Sequence, residues 1–64
     1  PEYLAAQIQL GLLYYSQGNL VDAELEWESV LSRNPGNKEA QAYLAMAKTA
    51  REKRSVGVNP SVSL

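Results

Sequence analysis

Hydrophobic and polar positions alternate along this chain with a helical period for most of its length. From Glu2 to Ser16 helix formers run without an internal proline, and Gly11 is the one weak residue. Gln17-Gly18-Asn19 ends that run, because Gly18 can take the left-handed conformation that closes a helix. Asn19 then reads as the cap of a second helix, Leu20 to about Ser32. This helix puts Leu20, Ala23, Trp27, Val30 and Leu31 on one side and Asp22, Glu24, Glu26 and Glu28 on the other. Asn34-Pro35-Gly36-Asn37 is strong turn chemistry, and it separates this element from a third helix, Lys38 to about Arg54. Short connections make the three antiparallel neighbours. The expected fold is all-α, with helices over 2–16, 20–32 and 38–54 followed by an extended or flexible tail over 55–64.

The tail has a different period. In Val56-Gly57-Val58-Asn59-Pro60-Ser61-Val62-Ser63-Leu64 every even-numbered position is apolar and every odd one is small or polar, except that Pro60 takes an even place. Period two is the mark of an extended segment with one apolar edge, and Pro60 disfavours a helix. The plain alternative is a flexible terminus.

The first helix is apolar over more than one side. Tyr3, Leu10 and Tyr14 share a side with Gly11 at its border, and packing against the second helix accounts for them. Ile8, Leu12 and Tyr15 form a separate stripe. In the third helix the stripe 34 residues on is Ala42, Met46 and Thr49, with Tyr43 beside it. These residues read either as core against a further helix or as the lining of an apolar groove.

The spacing of Leu10-Gly11, Tyr14, Gly18, Ala23, Trp27 and Pro35 resembles the tetratricopeptide repeat, a helix-turn-helix unit of 34 residues. Leu44-Ala45 echoes Leu10-Gly11 at that interval, so the resemblance covers roughly residues 4–54, one repeat and the first helix of another. Gln7 departs from the pattern, where an aromatic residue or leucine is usual, and Val30 stands where alanine is commoner. The resemblance implies an α-solenoid element in which Gly11 and Ala23 let two helices cross closely while Tyr14 and Trp27 fill the volume around them. It also implies a concave groove for peptides, at positions taken here by Ile8, Leu12, Tyr15, Tyr43 and Met46. Relatives that clamp a carboxylate use lysine and asparagine there, so the ligand expected here is an extended apolar segment. One candidate is the chain's own tail, through Val56, Val58, Val62 and Leu64.

Composition narrows the function further. Sixty-four residues form one small domain of marginal stability, and 45% hydrophobic residues exclude global disorder. Net charge is −1, but residues 1–32 hold five acidic side chains and no basic one, whereas residues 33–64 hold six basic and two acidic. Such polarity suits head-to-tail stacking of like units, and it also suits two solvated helix faces. Cysteine and histidine are absent, which removes disulfides, thiol chemistry and the usual transition-metal sites. The acidic residues of the second helix read as an exposed row with nothing to perturb them, so no catalytic pair, phosphate loop or cofactor site is expected, and no enzyme. The basic run from Lys48 to Arg54 is too short for nucleic acid, and no segment has the length of a membrane span. The chain begins at Pro1 rather than methionine and reads as a fragment or processed form. The expected function is a protein-protein interaction module or scaffold. The alternative is a self-assembling structural unit, a homo-oligomer or part of a longer array.

Overall fold

The computed structural model describes the backbone of residues 2–62 and the side chains of residues 3–54. Three helices pack together, α1 (Glu2–Ser16), α2 (Leu20–Arg33) and α3 (Lys38–Val62), with no strand among the described residues. The order of packing follows the chain: α2 lies between α1 and α3, which touch each other only slightly.

Local chemistry sets each boundary. α1 ends where Gly18 adopts φ +82°. The Asn19 N–H then donates to the Tyr14 carbonyl at 2.9 Å and the Gly18 N–H to Tyr15 at 3.0 Å, the paired bonds of a left-handed C-cap. Asn19 does not cap α2 with its side chain; its amide donates instead to Gln17 Oε1 at 3.3 Å. α2 stops at Asn34, which the following proline holds extended at φ −140°. The Asn37 N–H closes a turn onto the Asn34 carbonyl at 3.0 Å, and Asn37 Oδ1 accepts the Ala40 N–H at 2.9 Å, capping α3.

The core consists of Ile8, Ala23, Trp27, Val30, Ala40 and Ala47, with Leu4, Leu12, Tyr14, Tyr15, Leu31, Tyr43 and Leu44 packed around it. Trp27 sits at its centre with no exposed surface. Its indole N–H donates to the Ile8 carbonyl at 3.1 Å, and a Cβ built on Gly11 would stand 2.6 Å from Cε2 of its ring. Glycine is required there because the indole occupies the space that any side chain would fill. The closest neighbour of Gly11 is thus Trp27, not Ala23.

This contact fixes the rotation of α1 and reverses an expectation. Once Gly11 lies beneath Trp27, Leu4, Ile8 and Tyr15 come round with it, because they lie within about 60° of it on the helix, while Leu12, about 100° away, packs at the edge of the core. Ile8 is therefore core, at 4% exposure. Tyr3 and Leu10, expected against α2, are exposed at 59% and 38%.

Two further corrections concern α2 and α3. Glu24 is not part of an exposed row. It lies three positions before Trp27, on the flank that α3 covers, and is 6% exposed. Arg51 answers its charge, with Nε 2.7 Å and Nη2 3.3 Å from the carboxylate oxygens. The segment from Ser55 to Val62, expected to be extended or flexible, continues α3. A helix already nucleated gains one backbone bond for each residue it adds, although Pro60 removes one such bond and crowds the carbonyl four residues back. The backbone of Val56, Val58 and Val62 is helical, while their side chains and Leu64 lie outside the described residues.

Candidate functional site

The small side chains of α3 create an open concavity. Ala42, Ala45, Met46 and Thr49 recur at helical spacing along one side of the helix, and three of the four are too short to reach across to α1. They leave an open trough of about 390 Å³, which Tyr15 of α1 borders and which extends to Ala50 and Lys53. The trough has an aromatic foundation. The Tyr15 ring centre is 6.3 Å from that of Trp27, and Tyr43 is 5.3 Å from Trp27 on its own side. Both tilted pairs fall in the range where aromatic rings attract, so the rings brace each other beneath the opening.

The five residues assigned to a groove therefore separate into layers. Ile8 is buried and its carbonyl is engaged by Trp27, so its side chain is not available to a ligand. Leu12, Tyr15 and Tyr43 are half-buried and rest on the core. Only Tyr15 and Met46 line the trough, Met46 being 37% exposed. Ala42 and Thr49 of the expected α3 stripe line it too. Lys53 was missed, although the step from Ala42 through Met46 and Thr49 reaches it at the next turn.

The charges nearby are simply arranged. Among the described residues the one ion pair is Glu24–Arg51, and Arg54 donates to the Gly18 carbonyl at 3.1 Å, tying the far side of α3 to the end of α1. Lys53 thus stands at the trough as an ammonium outside any ion pair among the described residues. No cluster of three or more metal-ligating side chains occurs among the described residues, and no described helix is long and apolar enough to cross a membrane. What the arrangement offers chemically is an apolar surface with a cationic end.

Other large apolar side chains are exposed on α1 and α2. Tyr3, Leu10 and Leu13 of α1 and Val21 and Leu25 of α2 are large and exposed, between 38% and 59%. The Arg33 guanidinium stacks over the Tyr3 ring at 4.8 Å, which holds that ring in place. The chain matches no protein-family model, no curated protein and no solved structure.

Proposed function

We propose that this chain is a protein-protein interaction module of the tetratricopeptide type, taking an extended apolar segment of a partner in the trough beside α3. The observation that carries the reading is the trough itself: small side chains on α3, Tyr15 across from them, and exposed Met46 between. Small residues let a partner's backbone approach closely, while Tyr15 and Met46 supply apolar area that adapts to its side chains. Lys53 favours a carboxylate or carbonyl at one end. The repeat assignment is supported by Gly11, whose missing side chain leaves room for Trp27 between the helices, and by the helix breaks at Gly18 and Pro35.

The test is a titration with a synthetic peptide of alternating leucine and serine. Trp27, the only tryptophan, touches both Tyr15 and Tyr43 and reports occupancy through its fluorescence. Binding that Met46→Glu weakens at least tenfold is the expected result; equal affinity in both chains removes the trough from consideration. A second reading, a self-assembling unit, is favoured by one specific observation: the exposed apolar surface of α1 and α2.

A further inference from the structure

We propose that the trough is filled by a second copy of this chain, whose exposed α1–α2 surface seats on α3 head to tail. The inference rests on the trough being an interaction surface, and it names the occupant. Three observations carry it.

The first is placement. Leu10 and Tyr15 stand about 140° apart around α1, so the surface bearing Leu10 and the trough bordered by Tyr15 face different directions. A molecule offers both at once, and each satisfies a different neighbour.

The second is shape. The head surface carries large side chains, Tyr3, Leu10, Leu13, Val21 and Leu25, and the trough is built of alanines and a threonine around Met46. Large residues entering a row of small ones is how helices pack closely. Head on head brings large residues against large ones, and trough on trough leaves a void.

The third is charge. α1 and α2 hold Glu2, Asp22, Glu24, Glu26 and Glu28 against Arg33, and α3 holds Lys38, Lys48, Arg51, Lys53 and Arg54 against Glu39 and Glu52. The one described ion pair, Glu24–Arg51, consumes one charge from each side. What remains is −3 on the head helices and +2 on α3. A symmetric head-on-head dimer sets Asp22, Glu26 and Glu28 against their own copies, whereas head on α3 sets them toward Lys53 at the trough. Complementary fields of this kind select partner and register.

A head-to-tail contact does not use itself up. Each added copy presents a free head or a free trough, so the product is an open series of growing length. Against a total surface of 4436 Å² the face of two short helices is small, which places the contact among weak, transient interfaces formed at high micromolar concentration.

The experiment uses two variants of the 64-residue chain. Leu13→Glu with Leu25→Glu disables the head, and Ala45→Glu with Met46→Glu disables the trough. All four positions are exposed, so the fold is retained, and circular dichroism verifies this. In sedimentation equilibrium the parent is expected to grow in mass with concentration, several-fold less in 0.5 M than in 0.05 M salt. Each variant alone should be monomeric. Mixed one to one, they should form a species of twice the chain mass and nothing larger, because one intact head meets one intact trough. A parent that stops at a discrete dimer, or a mixture that stays monomeric, overturns the proposal. If the parent stays monomeric to millimolar concentration and still binds the leucine-serine peptide, the trough reading stands and the second copy is excluded. If it does neither, both fall.

Discussion

The indole N–H of Trp27 donates to the backbone carbonyl of Ile8, 3.1 Å away, directly beside the gap left by Gly11. A side-chain donor thereby reaches the backbone of the neighbouring helix. α1 and α2 are held in both separation and rotation by this one residue.

Gly11→Ala tests that relationship with two opposing effects. Alanine in mid-helix is worth roughly 0.5–1 kcal/mol over glycine. The added Cβ, however, would lie 2.6 Å from Cε2 and 3.0 Å from Cδ1 of an indole that has no room to withdraw. Overpacking of this kind costs about 1–3 kcal/mol, so the clash prevails. For a domain of this size each kcal/mol lowers the midpoint by roughly 4–8 °C. Thermal denaturation followed by circular dichroism should show Gly11→Ala melting below the parent and Gly11→Leu lower still. An alanine variant that melts higher would mean the helices do not cross there.

Trp27 itself separates packing from hydrogen bonding. Trp27→Ala removes the largest buried side chain, a change that costs about 3–5 kcal/mol in other cores. So small a domain cannot absorb that, and the variant should lack cooperative unfolding. Trp27→Phe keeps most of the apolar area and loses the donor, and the Ile8 carbonyl retains its helical partner. Its cost should be nearer 1–2 kcal/mol. Urea titrations compare the two directly, and a cooperative transition in the alanine variant contradicts the central place given to this ring.

The Glu24–Arg51 pair is asymmetric, and its variants should be too. The Glu24 side chain is 8% exposed and that of Arg51 53%. Arg51→Ala strands a buried carboxylate, whereas Glu24→Gln removes the charge and leaves an acceptor for an arginine that water already solvates. Screening at the exposed arginine keeps the first cost to about 1 kcal/mol, and the second should be smaller. Urea midpoints that put Glu24→Gln below Arg51→Ala would show that the carboxylate has other support.

Much of this fold is legible in the sequence, and the exceptions have physical causes. The breaks at Gly18 and Asn34-Pro35-Gly36-Asn37 are written in backbone chemistry, so the helix ends before and after them can be read within a residue. The rotation of α1 cannot be read from periodicity, because Leu4, Ile8, Leu10, Leu12, Leu13, Tyr14 and Tyr15 leave no side of it clearly polar. A single contact, Gly11 with Trp27, decides the matter. The burial of Glu24 depends on an arginine 27 residues away, which no local pattern records. For the candidate site, the α3 stripe was readable at Ala42, Met46 and Thr49, while Ile8 was misplaced with the rest of its helix.

Removing residues 55–64 tests the continuation of α3. Ser55 to Val62 extend that helix by eight residues beyond Arg54. Gly57 and Pro60 make the extension weak by itself, since they are about 1 and 3 kcal/mol less favourable in a helix than alanine. The truncated chain should keep its thermal midpoint to within about 0.5 kcal/mol of stability. Its Tyr15 and Tyr43 resonances should not move, because a segment that runs on along the helix does not fold back into the trough. Shifted tyrosine signals would restore the tail as an occupant of its own groove.

Gln7 gives the last prediction, a gain rather than a loss. Its Nε2 donates to Ser29 Oγ at 2.8 Å across the α1–α2 contact, but its Oε1 is buried without a partner among the described residues. Turning the amide over does not help. The serine hydroxyl can accept or donate, so either orientation satisfies one end of the amide and orphans the other. A buried polar atom left unpaired costs about 1–3 kcal/mol, whereas replacing both members of a polar pair by apolar groups is close to neutral or stabilising. Gln7→Leu combined with Ser29→Ala should therefore raise stability by about 0.5–1.5 kcal/mol. Gln7→Leu alone should gain less, because it leaves the half-buried serine hydroxyl without its amide. Denaturant midpoints of the two single variants and the double variant complete a cycle. A double variant less stable than the parent would mean that Gln7 Oε1 is satisfied after all, by ordered water between the helices.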